Sequence, residues 1–250
     1  MSEQKSADEK DHANRVREMF ATIAKRYDLL NHLLSGNIDK RWRRLVATRL
    51  RDELGPGQSR ILDVACGTGD LSLTLFEFTE AQITATDFCR PMLNLAASKT
   101  VRRRASIRLV ESDALSLPFR DQSFDAVTIG FGLRNLAAVE DGLKELFRVL
   151  KPGGSLAVLE FSKARTPVIR SLFQFYFTKV LPLMGGAISG SRSAYTYLPN
   201  SVLSFPDQDG LATLLGKVGF EAVNYQNLTG GIAALHLGKR PEEDPRLGCC

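Results

Sequence analysis

The fold is decided by one stretch of the sequence, Ile61-Leu62-Asp63-Val64-Ala65-Cys66-Gly67-Thr68-Gly69-Asp70-Leu71. A short aliphatic run ends at a carboxylate, and the chain breaks on two glycines before apolar residues resume. This pattern predicts a strand, a tight turn and the start of a helix, which is where an open parallel sheet binds a nucleotide-like ligand. Glycine suits the turn because it has no Cβ and lets the backbone approach a ligand closely.

The charges in this turn favour a cationic ligand over a dinucleotide. The spacing is Gly67-x-Gly69-x-x-Ser72, so the third glycine of the dinucleotide fingerprint is replaced. Asp63 and Asp70 bracket the turn, and two carboxylates offset the attraction of a helix dipole for a pyrophosphate. S-adenosylmethionine carries a sulfonium and an amino group, and we therefore expect it as the cofactor. A plain strand-to-helix turn is the structural alternative.

Two further acidic residues follow predicted strands. Asp87 closes the run Gln82–Thr86, about 20 residues beyond the glycine turn, where an acidic residue accepts both hydroxyls of a ribose. Asp113 follows the third strand at Ile107–Val110 and is placed to take the adenine amino group, with the Ala114 amide on a ring nitrogen. An exposed loop acid is the other interpretation of Asp113.

Strands and helices alternate through most of the chain. Strands are predicted at 61–64, 82–86, 107–110, 124–129 and 156–161, and near 221–225 and 232–237; helices are predicted between them, with Pro91 at the start of one and Asp39 as the cap of another. This alternation predicts an α/β fold with a doubly wound, seven-stranded, mostly parallel sheet. In such a sheet the loop at Gly130–Asn135, which follows the fourth strand, faces the ligand crevice.

The predicted organisation is a single domain over 14–240. Residues 1–13 and 241–250 are polar and are expected to be disordered tails, whereas 14–55 forms added N-terminal helices. Apolar residues are dense between 172 and 184, so 165–205 is interpreted as a mixture of core packing and a cover over a greasy substrate. The polar stretch Ser189–Thr196 within it is expected to be a loop.

Composition indicates an ordinary globular protein of 250 residues with a net charge of +5. Its four cysteines show neither a disulfide framework nor zinc-ligand spacing, so we expect a reducing cytoplasm and no metal. No signal peptide or bilayer-spanning run is visible. Basic residues cluster in Lys40-Arg41-Trp42-Arg43-Arg44 and in Arg102-Arg103-Arg104. Because a single aromatic, Trp42, accompanies them, a solvated helix face or an anionic membrane surface is favoured over nucleic acid.

Several motifs together resemble the ubiquinone/menaquinone biosynthesis C-methyltransferases. The motifs are Met19-Phe20 with Arg26-Tyr27-Asp28, Asp63–Leu71, Leu117-Pro118-Phe119, Ile129–Asn135, Arg148–Gly154, Leu159-Glu160-Phe161-Ser162, Phe205-Pro206-Asp207 and Leu228–His236. The resemblance implies a Rossmann-like class I methyltransferase that moves the methyl group of S-adenosylmethionine to a ring carbon of a prenylated quinol. By position it implies cofactor contacts at Thr68, Asp87, Asp113, Ala114 and Gly130, the last at a position where some members carry serine.

The expected chemistry needs an activated ring carbon. Such a carbon attacks when a neighbouring hydroxyl is deprotonated, and a phenol-like hydroxyl has a pKa near about 10, so the site must stabilise the phenolate or accept its proton. Arg134 and Asn135 are the first candidates. Arginine is too basic to be an ordinary base, so Arg134 is interpreted as a phenolate stabiliser. His236 and Tyr195 are the next candidates, and a purely structural His236 is the alternative.

The sequence also predicts a substrate and partners. Demethylmenaquinol is expected in preference to 2-methoxy-6-polyprenyl-1,4-benzoquinol, with peripheral contact to the membrane surface and no nucleic acid. A homodimer is left open. A nicotinamide-dependent reductase, and a non-catalytic module that binds membrane or RNA through the basic clusters, remain as alternatives.

Overall fold

The computed structural model describes residues 11–24, 28, 36–165 and 192–242. Most of the predicted cover at 165–205 and of the two predicted tails lies outside these residues. Residues 11–13 were expected in the N-terminal tail, but they belong to a helix over 11–24.

Helices and strands alternate as the sequence predicts. After α1 (11–24) the order is α2 (Ile38–Leu54), β1 (Arg60–Val64), α3 (Asp70–Phe78), β2 (Gln82–Asp87), α4 (Arg90–Arg103), β3 (Ile107–Glu111), β4 (Phe124–Gly130), α5 (Val139–Val149), β5 (Leu150–Phe161), α6 (Arg192–Ser204), α7 (Gln208–Val218), β6 (Glu221–Leu228) and β7 (Ala233–Lys239), with 3-10 turns at Leu133–Asn135 and Thr229–Gly231.

The seven strands form one sheet in the order β3-β2-β1-β4-β5-β7-β6. Neighbours from β3 to β5 are parallel, whereas β7 runs antiparallel to both β5 and β6. This confirms the predicted seven-stranded, mostly parallel sheet. The chain moves outward from β1 to β3 and returns to the other side of β1 with β4, so a crevice opens at the carboxyl ends of β1 and β4.

Apolar layers cover both faces of the sheet. Successive residues of β1 point to opposite faces: Ile61 packs with Trp42 and Leu50 of α2, while Leu62 packs with Leu146 of α5. Ile61 and Leu62 are both fully buried. A central parallel strand covered on both faces needs consecutive apolar residues, which is why β1 shows no polar alternation in the sequence.

Three local predictions were wrong. Asp39 does not cap α2; Asn37 precedes the helix, and Asp39 lies inside it, paired with Arg43 one turn later. The fifth strand, predicted over 156–161, begins earlier at Leu150, and within this extension the Gly153 N–H and the carbonyl of Gly154 both pair with Arg240. Residues 192–196 of the expected loop lie in α6.

Candidate functional site

A cavity lies at the carboxyl ends of β1 to β4, with about 1040 Å³ of empty space including the part open to solvent. Eight of the residues predicted from the sequence line it: Asp63, Gly67, Thr68, Asp87, Asp113, Ala114, Gly130 and Asn135. Ala13 and Phe20 of α1 line it as well. The predicted cofactor residues are therefore brought together by the fold, with α1 over them.

Gly69 does not line the cavity, but it shapes the turn. It stands immediately before α3 with a φ of +82°, a conformation that favours glycine. A Cβ at this position would lie 3.1 Å from Cβ of Ala96 in α4. Gly69 therefore allows α3 to start close to α4 and directs the first turn of α3 at the cavity.

Asp87, at the end of β2, joins the loop after β1 to the loop after β2. Its Oδ2 accepts a hydrogen bond of 2.8 Å from the Gly67 N–H, and its Oδ1 accepts one of 2.8 Å from the Cys89 N–H. Burial raises the pKa of Asp87 to about 6, against the lowering effect of these amides. Each carboxylate oxygen has two acceptor positions, so a pair of ligand hydroxyls can still be accommodated.

Asp63 is fully buried and already has partners. Its two oxygens accept hydrogen bonds from the hydroxyls of Ser72 in α3 and Thr128 in β4, the latter at 2.8 Å. Burial raises its pKa to about 6. Asp63 thus links β1, α3 and β4 where they border the cavity. The sequence analysis considered only the charge of Asp63 and did not predict this role.

Asp70 is balanced by cations from other elements. Its Oδ1 lies 2.5 Å from Nζ of Lys99 in α4, and its Oδ2 lies 3.8 Å from Nη1 of Arg43 in α2. Lys99 also pairs with Asp28 at 2.6 Å, and the Thr68 hydroxyl donates to Asp28. Lys99 and Arg43 therefore offset part of the negative charge that the sequence predicts at this turn.

The lining as a whole remains acidic. The side chains around the cavity include the aspartates Asp63, Asp70, Asp87 and Asp113 and one arginine, Arg43. This balance suits a ligand that carries a cation.

The cavity continues to the end of β3. Asp113 accepts a 2.9 Å hydrogen bond from the Leu115 N–H through Oδ1. The hydroxyl of Ser112 is buried and has no partner among the described residues. Phe88 and Met92 provide apolar walls. A flat heterocycle with donors and acceptors on its edge matches this mixture.

The loop after β4 touches the loop after β1. A Cβ at Gly132 would lie 2.6 Å from Cβ of Ala65, so this contact requires glycine. Next to it, Phe131 has a φ of +59°, a strained conformation for an aromatic residue, and its N–H donates to the carbonyl of Leu159 at 2.7 Å. Strain of this kind concentrates at functional sites.

Arg134 lies behind this loop and does not line the cavity. Its Nη1 forms a 2.6 Å ion pair with Oε1 of Glu160, and the two side chains are 6% and 2% exposed. The same nitrogen donates to the carbonyl of Phe131 at 2.6 Å, and the guanidinium lies 5.3 Å from the ring centre of Phe161. The Nε of Arg134 is buried and has no partner among the described residues. Within the described part of the chain, Nε of Arg134 is therefore an unused donor.

Asn135 lines the cavity and brings in a residue that the sequence analysis missed. Its Oδ1 accepts a 3.2 Å hydrogen bond from the hydroxyl of Tyr197 in α6. Burial raises the pKa of Tyr197. Tyr195, two residues earlier, was the predicted candidate, and its side chain lies outside the described part. Tyr197 was not chosen from the sequence, because the polar stretch before it, Ser189–Thr196, was interpreted as a loop.

His236 is placed away from the cavity. It lies in β7, where its Nε2 is 2.9 Å from the carbonyl oxygen of Gln208 and its ring packs on Tyr225 with 5.2 Å between centres. Burial lowers the pKa of His236. This arrangement fits the structural alternative and gives His236 no access to a substrate in the cavity.

The described helices include none that is both long and apolar enough to cross a bilayer.

The family follows from a direct match. A model described as the ubiE/COQ5 methyltransferase family matches residues 5–240. The chain belongs to this family. The resemblance drawn from the motifs is confirmed, and with it the prediction of an S-adenosylmethionine-dependent methyltransferase.

Individual family members match over nearly their whole length. The chain is 50% identical to a demethylmenaquinone methyltransferase of Thermus thermophilus over 89% of this chain and 100% of that protein. It is 46% identical to one of Deinococcus radiodurans, over 93% and 95%. It is also 46% identical to the ubiquinone/menaquinone biosynthesis C-methyltransferase UbiE of Geobacter sp., over 90% and 96%.

Solved structures share the fold. The [4+2]-cyclase SpnF matches with a TM-score of 0.66 and 19% identity, over 91% of this chain and 95% of that one. A methyltransferase of Thermotoga maritima, described as a possible histamine N-methyltransferase, matches with a TM-score of 0.62 and 19% identity, over 90% and 99%. One of the two is a cyclase, so the shared fold does not by itself select a reaction.

Proposed function

We propose that this protein transfers the methyl group of S-adenosylmethionine to a ring carbon of demethylmenaquinol and so forms menaquinol. The observation that carries the choice of substrate is the full-length similarity to two demethylmenaquinone methyltransferases. The acidic cavity beside the loop that follows β4 supports the same reaction, since it can hold a sulfonium next to a second binding region.

The cofactor binds across the carboxyl ends of the strands in this proposal. Its contacts are Asp63, Gly67, Thr68, Gly69, Asp87, Asp113, Ala114 and Gly130, with Gly69 acting through the shape of the turn. Asp87 takes the ribose hydroxyls through its remaining acceptor positions, while Asp113 and the Ala114 amide take the adenine edge. Arg43, the basic residue on the lining, receives the carboxylate of the amino-acid part.

The quinol lies against the loop that follows β4. Its hydroxyl loses a proton, and the phenolate directs electron density to the neighbouring ring carbon. That carbon forms a bond to the methyl group, and the carbon–sulfur bond breaks with its electron pair going to sulfur. The methylated carbon then loses its proton and the ring oxygen regains one, so that one proton is released overall. The rate depends strongly on alignment of methyl group and carbon. Asn135, which lines the cavity, stabilises the phenolate, and Arg134 acts as a positioning residue behind it, because both side chains donate to the carbonyl of Phe131.

A benzoquinol is the second candidate substrate, because the name of the Geobacter relative covers both ubiquinone and menaquinone biosynthesis. The test supplies the enzyme with labelled S-adenosylmethionine and either demethylmenaquinol or 2-methoxy-6-polyprenyl-1,4-benzoquinol. Label in the naphthoquinol product supports the proposal. Label in the benzoquinol alone overturns the choice of ring, and label in neither overturns the proposed function.

Two associations accompany this proposal. A prenylated quinol resides in a bilayer, so the enzyme makes peripheral contact with the membrane surface. A homodimer was left open by the sequence, and light scattering coupled to size-exclusion chromatography tests it directly.

A further inference from the structure

The two basic clusters of the chain lie at opposite edges of the sheet: the first at the carboxyl ends of the parallel strands and the second at their amino ends. Each contributes three exposed cations: Lys40, Arg41 and Arg44 from α2, and Arg102, Arg103 and Arg104 from the end of α4. Because each cluster has three exposed cations, variants can test whether the position of the charge matters separately from its amount.

The α2 cluster lies at the edge that carries the cavity. Between its members, Arg43 lines the cavity, and Nε1 of Trp42 donates a 3.2 Å hydrogen bond to the hydroxyl of Thr229. Thr229 directly follows β6, which runs parallel to β1, so it marks the same edge as the cavity. The first two turns of α2 therefore border the site.

The α4 cluster lies at the other edge. The chain leaves β2 at Asp87 beside the cavity, runs through α4, and must return to the amino end of the sheet to begin β3 at Ile107. Arg102, Arg103 and Arg104 lie at this return. They are separated from the cavity by the length of α4, which is about 20 Å for its 14 residues.

The α2 cations share one face of their helix. Lys40 and Arg44 are four residues apart and Arg41 and Arg44 are three apart, which places all three on the solvent side. Trp42 and Arg43 point inward and are buried. None of the three exposed cations forms an ion pair with a described residue, whereas Arg103 of the other cluster pairs with Glu77 at 3.3 Å. Among the residues that the structure describes, the α2 face thus carries uncompensated charge next to the cavity.

We propose that the face of α2 formed by Lys40, Arg41 and Arg44 is the surface that docks this enzyme on an anionic phospholipid bilayer. This inference rests on the proposed function, because a prenylated quinol must be taken from a bilayer. Docking through α2 brings the cavity edge to the lipid, whereas docking through the end of α4 would point the cavity away from its substrate.

The chemistry of the face favours lipid over RNA. Sequence-independent binding of single strands combines cations with exposed aromatic side chains on which bases stack. The aromatic residue within this cluster, Trp42, is buried against Phe131 and Phe161. Cations without a stacking surface match an anionic headgroup layer, which attracts them with about 1 kcal/mol for each residue near the surface. Loss of all three should weaken binding by about two orders of magnitude.

The test compares two triple variants of the full-length protein. Lys40→Gln/Arg41→Gln/Arg44→Gln removes the α2 charge, and Arg102→Gln/Arg103→Gln/Arg104→Gln is the matched control that removes the same charge at the far edge. Co-sedimentation is measured without substrate, using vesicles of phosphatidylcholine alone and of phosphatidylcholine mixed with phosphatidylglycerol. We expect the wild type and the control to bind the anionic vesicles, and the α2 variant to lose about 100-fold in affinity.

Turnover separates docking from chemistry. With demethylmenaquinol in anionic vesicles the α2 variant should show a KM raised at least about tenfold, and with a short-chain quinol dissolved in water it should match the wild type. Thermal unfolding of each variant verifies that it is folded. Wild-type vesicle binding by the α2 variant, an equal loss in the control, or a loss confined to a single-stranded RNA probe overturns the proposal. A wild-type enzyme that methylates neither quinol overturns the proposed function and leaves the vesicle result intact.

Discussion

The side chains of Arg134 and Glu160 form a buried ion pair behind the loop that follows β4, with 2.6 Å between Nη1 and Oε1. Glu160 also accepts hydrogen bonds from its neighbour, the Phe161 N–H, at 2.8 Å and from the Arg134 N–H at 3.3 Å. One carboxylate therefore holds both the backbone and the guanidinium of Arg134. Glu160 therefore fixes the position of the Arg134 guanidinium behind the loop.

Glu160→Gln should be strongly destabilising. Removing one partner of a buried pair leaves an uncompensated charge and costs about 3–5 kcal/mol, measured as the free energy of unfolding in urea. Glu140→Gln is the matched control, because Glu140 pairs with Lys144 on the surface and such pairs contribute about 1 kcal/mol or less. Similar changes in the two variants would show that Glu160 has no special role.

Arg134→Lys should lower turnover by about 100-fold, because a displaced loop misaligns the quinol and the methyl donor. Lysine keeps the charge but cannot reproduce the planar guanidinium that binds Glu160 and the Phe131 carbonyl together. Affinity for S-adenosylhomocysteine, measured by calorimetry, should change little, since Arg134 does not line the cavity. Unchanged turnover would remove Arg134 from the proposed mechanism.

Asp87→Asn should weaken cofactor binding by about 10- to 100-fold, since the ribose hydroxyls lose a charged acceptor that is worth about 1.5–3 kcal/mol. Calorimetric titration with S-adenosylhomocysteine measures the effect. Asp121→Asn provides the control, because Asp121 is largely exposed and pairs with Arg148 far from the cavity. Wild-type affinity in Asp87→Asn would exclude the ribose contact.

Cofactor affinity should fall as the pH is lowered below about 6. The pKa values of Asp63 and Asp87 are raised to about 6 by burial, above an ordinary value near about 4. Between these two values the folded free protein binds more protons at these groups than the unfolded chain does, so acidification there favours the fold while it removes the charge that binds the ligand.

Calorimetry between about pH 5 and pH 8 measures this dependence, with up to about a tenfold loss of affinity per pH unit below the pKa of one group. Asp87→Asn should flatten the profile. A profile that is already flat in the wild type would show that the ionised carboxylates do not take part in binding.

His236→Ala should destabilise the protein without changing the reaction. The lost contact to Gln208 and the space left in the buried β7 should cost about 2–4 kcal/mol, observed as a lower unfolding midpoint. Turnover per folded molecule should stay within about twofold of the wild type, because His236 lies outside the cavity. A large loss of turnover at temperatures where the variant is fully folded would restore the catalytic hypothesis.

The sequence predicts the parts of the site that depend on local pattern. Asp87 and Asp113 were found because acidic residues that end or follow parallel strands converge at one edge of the sheet. Partners from distant elements were not found: Lys99 neutralises Asp70 across 29 residues, and Glu160 meets Arg134 across 26. Tyr197 reaches Asn135 from a helix that the polar sequence at 189–196 did not indicate. Such pairs depend on how the elements pack, which periodicity does not encode.

The contact between Gly132 and Ala65 has a consequence for engineering the enzyme. A Cβ at Gly132 would lie 2.6 Å from Cβ of Ala65, so the loop after β4 and the loop after β1 meet without space between them. In the proposed function the first loop borders the quinol and the second borders the methyl donor. A wider pocket for a bulkier quinol cannot be made by moving these loops, because any shift toward one ligand displaces the other. New substrates must instead be accommodated from the opposite side of the ring, so a library designed to alter specificity should leave position 132 as glycine.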